Sequence, residues 1–108
     1  MRIAIIGATG MLGYHTALSA VNSGHEVVLV CRNPRLLEQI EDFDFTYEAR
    51  QADLDDRASL RAALAGTDAV INCAAYYPTI PRPWQDDVRT ATTQMQNFYA
   101  CRWGSKSA

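Results

Sequence analysis

The stretch Arg2-Ile3-Ala4-Ile5-Ile6-Gly7-Ala8-Thr9-Gly10-Met11-Leu12-Gly13 constrains this chain more than any other part of it. A short apolar run rich in β-branched residues passes directly into three evenly spaced glycines and then into a helical pattern. Such a run, apolar on both faces, suits a central strand of a parallel sheet. Gly7 lets the chain turn sharply off that strand. Gly10 lets backbone approach a ligand where a Cβ would clash, and Gly13 lets the new helix pack closely on the strand. The first N–H groups of a helix lack intrahelical acceptors and sit at the positive end of its dipole, so they face an anion. Strand, glycine turn and helix in that order make a cradle for a dinucleotide pyrophosphate.

The chain that follows repeats the same alternation. Helical spacing over Met11–Ser23 places Leu12, Ala17, Ala20 and Val21 on a shared apolar face, with Gly24 as the stop. Glu26–Cys31 reads as a second buried strand. Pro34 opens a short helix carrying Leu36, Leu37 and Ile40. Thr46–Ala52, of mixed polarity, reads as an edge strand. Asp55 or Asp56 caps a helix over Ala58–Ala65, closed by Gly66. Asp68–Ala75 is another buried-strand pattern. The three prolines of Tyr76–Trp84 make that segment a loop, and Gln85–Trp103 is helical again, with Val88, Met95, Phe98 and Tyr99 as core contacts. Strict β-α alternation implies a parallel sheet with right-handed crossovers and helices on both faces. Residues 1–103 are expected to form one domain, and residues 104–108 a disordered tail.

Bulk properties narrow the function classes. The 108 residues carry a net charge of -2 with no basic run, which argues against a nucleic-acid partner. No apolar run approaches a membrane span and no signal-peptide cleavage site follows the first strand, so a cytoplasmic location is expected. The three cysteines, Cys31, Cys73 and Cys101, show no Cys-x-x-Cys spacing, so neither a metal site nor a disulfide framework is expected. Cys31 and Cys73 read as small core residues at strand ends. His15 and His25 have no partners at catalytic spacing and read as structural.

Three further places on the carboxyl edge of the expected sheet bear on the ligand. Arg32 follows the second strand, where dinucleotide folds select their cofactor. An acidic residue there binds the ribose hydroxyls, whereas an arginine pairs with the 2′-phosphate of NADP. No Asp or Glu occupies positions 30–33, so NADP is favoured, with NAD possible, and Arg35 stands ready to assist. The alternative for Arg32 is a solvated side chain beside a loop. Asp53-Leu54 ends the third strand near the expected adenine, where the carboxylate would accept from the amino group; it serves equally as a turn signal before a helix. Ala74 and Ala75 end the fourth strand with side chains small enough for close approach of a ligand. Tyr76, Tyr77, Arg82 and Trp84 line the same edge, and read mainly as residues that pin their loop.

Taken together, Gly7–Gly13, Gly24-His25-Glu26-Val27, Arg32, Ala52-Asp53-Leu54 and Asp68–Ala75 resemble the extended or atypical short-chain dehydrogenase/reductases, including the NAD-dependent epimerase/dehydratases and dihydroflavonol reductase-like proteins. The resemblance covers Met1 to about Cys101. It implies a Rossmann-like α/β fold with strand order 3-2-1-4, incomplete relative to the family. It also implies that Gly7, Thr9, Gly10, Met11, Leu12 and Gly13 surround the pyrophosphate and that Arg32 holds a 2′-phosphate. Asp53 and Leu54 would meet adenine, and Ala74, Ala75 and Tyr76 would lie along the ribose and nicotinamide.

Family catalysis uses a Tyr-x-x-x-Lys pair. The residues four after Tyr14, Tyr47, Tyr76, Tyr77 and Tyr99 are Leu18, Gln51, Ile80, Pro81 and Trp103, so no catalytic residue is assigned. The chain thus resembles the cofactor-binding portion of such an oxidoreductase or epimerase. A non-catalytic dinucleotide-sensing module and an inactive truncated product are the alternatives. In the expected strand order the uncharged fourth strand is a sheet edge, open to self-association.

Overall fold

The computed structural model describes residues 1–38, 45–74 and 83–102. Four parallel strands, β1 (Arg2–Ile6), β2 (Glu26–Cys31), β3 (Glu48–Gln51) and β4 (Ala69–Asn72), lie in the order β3-β2-β1-β4. Helices α1 (Met11–Asn22), α2 (Arg35–Glu38), α3 (Arg57–Ala63) and α4 (Trp84–Arg102) alternate with them. This is the Rossmann-like arrangement expected from the alternation, short relative to the family. Trp103, the expected tail at 104–108 and the segment holding Ala75, Tyr76, Tyr77 and Arg82 lie outside the described residues, as do Ile40 and residues 41–44.

Alternation along β1 and β2 sorts their side chains into two cores. Ile3, Ile5, Val27 and Leu29 meet Ala17 and Ala20 of α1 and Leu37 of α2. Ala4, Ile6, Val28 and Val30 meet Leu60 and Ala63 of α3 and Cys101 of α4 on the other face. β1 and β2 are covered on both sides as expected, whereas β4, also read as a buried strand, is half-buried at the sheet edge with Ile71 40% exposed. Ile5 and Leu29 are fully buried, which stabilises the fold by roughly 1.5–3 kcal/mol for each such side chain.

Local chemistry sets the helix ends. Asp56, rather than Asp55, caps α3: its carboxylate accepts from the N–H groups of Ala58 and Ser59. At the other end of α3, Arg50 of β3 donates to the carbonyls of Ala63 (2.9 Å) and Ala65 (2.7 Å). Arg50 also pairs with Glu48 at 3.1 Å, and Glu48 pairs in turn with Arg2. A charged rim thereby ties β1, β3 and α3 at the end of the sheet opposite the glycine turn.

Two expectations about helix faces are corrected. Leu12 does not share the buried face of α1; it is 65% exposed at the helix start, while Ala17 and Ala20 are buried. On α4, Val88, Met95 and Tyr99 are not core contacts but exposed, with Trp84, which begins the helix instead of ending the loop. Residues 84, 88, 95 and 99 fall within about 60° of one another at about 100° per residue, so they do form one stripe. The stripe is largely open to solvent, with the Met95 sulfur 4.0 Å from Asn72 Nδ2 of β4. The inward face carries Asn97 and Cys101, both buried, and Phe98 packs beside them.

Gly13 shows why α1 can lie against β1. A Cβ on it would stand 2.3 Å from the Gly7 carbonyl oxygen and 2.7 Å from the Ala8 Cα. Both obstacles are backbone, so neither can rotate away. Gly13→Ala should therefore destabilise the fold by at least about 2 kcal/mol, read as a drop in the midpoint of denaturant unfolding.

The charged rim predicts a pH dependence. Hydrogen bonding from Arg50, with the positive charges of Arg50 and Arg2, holds the Glu48 carboxyl below its ordinary value of 4.5. A lowered folded-state value means stabilisation that is present above the unfolded value and lost as pH falls through the folded one. Thermal melts of wild type and Glu48→Gln should differ at neutral pH, and the difference should close under acid.

Candidate functional site

The carboxyl ends of β1, β2, β3 and β4 open into a cavity of about 520 Å³. Gly7, Thr9 and Gly10 form one wall, Cys31 and Arg32 a second, and Asp53, Leu54 and Asp55 a third. Cys73 and Ala74 close the side toward β4, and Gln94 reaches in from α4. The sheet topology explains the convergence: order β3-β2-β1-β4 places the reversal of strand order between β1 and β4, where a crevice forms.

The glycine turn is built by backbone alone. Gly7 has φ +81°, its N–H donates to the Val30 carbonyl (3.0 Å), and its own carbonyl accepts from Gly10 N–H (3.2 Å). A Cβ on Gly7 would stand 2.7 Å from the Ala74 nitrogen. Gly10 differs from its neighbours. An added Cβ there would meet only the Gly7 carbonyl oxygen, at an ordinary 3.7 Å. The protein's own packing thus requires Gly7 and Gly13 but not Gly10, whose bare backbone faces the cavity.

Gly10 caps α1 without a side-chain hydrogen bond, and the first turn holds no acidic residue. The N–H groups of Met11, Leu12 and Gly13 precede the first intrahelical bond, from Tyr14 N–H to the Gly10 carbonyl (3.0 Å). With the helix dipole they make the end of the cleft electropositive. The side chains of Met11 and Leu12 are 82% and 65% exposed and stand outside the cavity wall, while Gly13 is buried beneath it.

Arg32 is exposed at the cavity's second wall, and among the described residues no carboxylate pairs with it. Gln51 Nε2 donates to the Arg32 carbonyl (3.2 Å), which fixes its backbone against β3. Arg35 begins α2, where its N–H donates to Asn33 Oδ1 (3.2 Å). Cys31 is buried beside Arg32, and that burial pushes its thiol above the ordinary value against a weaker pull from the Asn33 backbone. Cys73 is half-buried, 3.5 Å from the Thr16 hydroxyl. His25 accepts from the N-terminal amine at 3.1 Å, and His15 stacks edge-on against Tyr14. Both histidines therefore stand outside the cavity.

The third wall is the most tightly hydrogen-bonded. Asp53 Oδ1 accepts from Asp55 N–H (2.9 Å), and Asp53 N–H donates to the Ser59 hydroxyl (3.1 Å). Asn97 Nδ2 donates to the Leu54 carbonyl (2.7 Å), and Gln94 Nε2 to Asp55 Oδ1 (3.2 Å). The expected ligand residues Gly7, Thr9, Gly10, Arg32, Asp53, Leu54 and Ala74 all meet at the cavity. Ala75 and Tyr76 lie outside the described residues. Asp55 and Gln94 are wall residues that sequence reasoning missed. The signal for Gln94 was a polar pair, Gln94 and Asn97, at helical spacing opposite the apolar stripe.

Among the described residues no group of His, Cys, Asp or Glu is placed to hold a metal ion. No helix among them is long and apolar enough to cross a membrane.

Comparison with known proteins agrees with this geometry. The chain is 33% identical to a nucleoside-diphosphate-sugar epimerase from Pseudomonas aeruginosa, with a TM-score of 0.68, over 94% of this chain and 29% of that one. It is 35% identical over 71 residues to quinone oxidoreductase 2 of Escherichia coli, covering 64% of this chain and 24% of the relative. An uncharacterized protein of Mycobacterium tuberculosis matches at 32% identity over 74 residues, 68% of this chain and 8% of its own length. The chain therefore spans less than a third of each of these relatives. The model of the NAD dependent epimerase/dehydratase family matches residues 3–99. By its glycine-turn cleft and by that match, this chain belongs to the NAD dependent epimerase/dehydratase family.

Proposed function

We propose that this chain binds a nicotinamide dinucleotide, NADP in preference to NAD, as the cofactor-holding part of an oxidoreductase or epimerase. The observation that carries this reading is one cavity that joins the bare glycine turn, the exposed Arg32 and the Asp53–Asp55 wall. The fit is chemical at each point. Backbone N–H groups at the start of α1 suit a pyrophosphate, with Gly7, Thr9, Gly10, Met11, Leu12 and Gly13 around it. An exposed guanidinium with no carboxylate partner among the described residues suits the extra 2′-phosphate, and the wall opposite it offers Asp53 and Leu54 to adenine. Ala74, Ala75 and Tyr76 are assigned to the ribose and nicotinamide side. When bound, the dinucleotide would supply hydride transfer; this chain's own residues bind and orient it. The pair that moves the substrate proton in this family is not among these residues.

A second reading is a non-catalytic dinucleotide-binding module whose β4 edge receives a strand from a second copy. It is favoured by Ile71, which is 40% exposed on the α1 face of the edge strand. A dimer in sedimentation that Ile71→Lys dissociates, together with cofactor binding without turnover, would support it.

Titration of NADPH against NADH decides the first reading. Wild type should bind NADPH at least about tenfold more tightly, and Arg32→Ala should bring the two affinities within about twofold, the worth of a charge-assisted contact. Gly10→Ala should keep the fold, because its Cβ would make only an ordinary 3.7 Å contact with the Gly7 carbonyl oxygen, while weakening both dinucleotides about tenfold or more. Equal affinities unchanged by Arg32→Ala would refute the assignment of Arg32.

A further inference from the structure

We infer that Asn97 on α4 is a positioning residue for adenine recognition, acting through the peptide between Leu54 and Asp55. This rests on the dinucleotide reading and assigns the discrimination of the base to a residue that does not touch it.

Asn97 is a buried polar residue, 7% exposed, on a helix whose apolar stripe faces outward. Its Nδ2 donates to the Leu54 carbonyl (2.7 Å), and its Oδ1 accepts from Arg57 Nε (3.2 Å). Three residues earlier, Gln94 donates to Asp55 Oδ1, and four residues later the Cys101 thiol donates to the Arg57 carbonyl (3.2 Å). One face of α4 is thus spent on hydrogen bonds to the loop that forms the cavity's third wall. Helix-on-helix packing needs no such bonds; apolar side chains would hold α3 and α4 together without the cost of burying an amide.

The bonds converge on one peptide plane. At the Leu54–Asp55 peptide the carbonyl is held by Asn97, and the N–H by Asp53 Oδ1 at 2.9 Å. Because the peptide is planar, fixing the carbonyl fixes the direction of the N–H. That N–H in turn fixes the Asp53 carboxylate through Oδ1, which leaves Oδ2 as the oxygen offered to a ligand amino group. Asn97 therefore sets the aim of Asp53. Loss of its donor frees the peptide to rotate and lets the carboxylate swing, without removing any atom from the cavity wall.

The test compares NADPH with its hypoxanthine counterpart, in which a 6-oxo group replaces the adenine amino group. A correctly aimed carboxylate accepts from the amino group and opposes the carbonyl, so wild type should prefer the adenine form by about tenfold or more. Asn97→Asp retains an acceptor for Arg57 but places a carboxylate against the Leu54 carbonyl. It should collapse the preference to within about twofold in a protein that still unfolds cooperatively. Asn97→Leu, which keeps the branched outline at a larger volume and loses both bonds, should do the same at a lower melting temperature. Asp53→Ala should abolish the preference, and adding Asn97→Asp to it should change nothing more, as expected for residues acting in series.

A folded Asn97→Asp protein that keeps the wild-type preference, or that loses both ligands in equal proportion, would overturn the inference. Wild type that binds both forms equally would remove the role of Asp53 and this inference with it. Wild type that binds neither would instead overturn the dinucleotide reading itself.

Discussion

The backbone of Gly7 is the point on which the ligand edge of the sheet depends. Its N–H closes β1 onto the end of β2, and its carbonyl receives the turn that starts α1. The chain leaving β4 passes so near that a Cβ would stand 2.7 Å from the Ala74 nitrogen. On the far side, the bare Cα of Gly13 rests against the Gly7 carbonyl. Three strands and a helix therefore converge on one peptide, and they do so because two side chains are missing. Interiors packed at crystal density have no slack to absorb an added methyl at such a crossing.

The two ends of the sheet treat charge differently. At the end away from the glycine turn, Arg2, Glu48 and Arg50 satisfy one another and the last carbonyls of α3. At the carboxyl end, Arg32 has no carboxylate partner among the described residues and Asp53 commits one oxygen to the loop. Charges neutralised internally hold the architecture, and those left unsatisfied are where recognition becomes available.

Most of the fold was legible in the sequence because its signals are local. Apolar β-branched runs at Ile3–Ile6 and Val27–Val30, stops at Gly24 and Gly66, and a cap at Asp56 each follow from a few adjacent residues. Strict alternation then leaves few topologies. What the sequence did not carry was direction. Val88, Met95 and Tyr99 do share one helical face, but periodicity says only that residues share a face, not which neighbour covers it. The strand order was legible, and so was the meeting of Gly7, Arg32 and Asp53, since all follow strand ends. The parts played by Gln94 and Asn97 were not, because their partners lie about 40 residues earlier, and no local pattern encodes a contact at that range.

The join between β1 and β4 also sets an order of events. Arg2 and Asp68, 66 residues apart, bond backbone to side chain, and Cys73 N–H closes on the Ile6 carbonyl (2.9 Å). β1, α1 and β2 can assemble as a compact unit of nearby residues, whereas β4 must close the longest loop in the sheet before it is rewarded by any contact. The cavity's last wall, Cys73 and Ala74, arrives with that strand. Loop length thus predicts that the cleft is completed last during folding and is the first part to open when β4 detaches. Any ligand spanning the glycine turn and Ala74 would act as a clasp on that last step, slowing the departure of β4 more than the unravelling of β2 or β3.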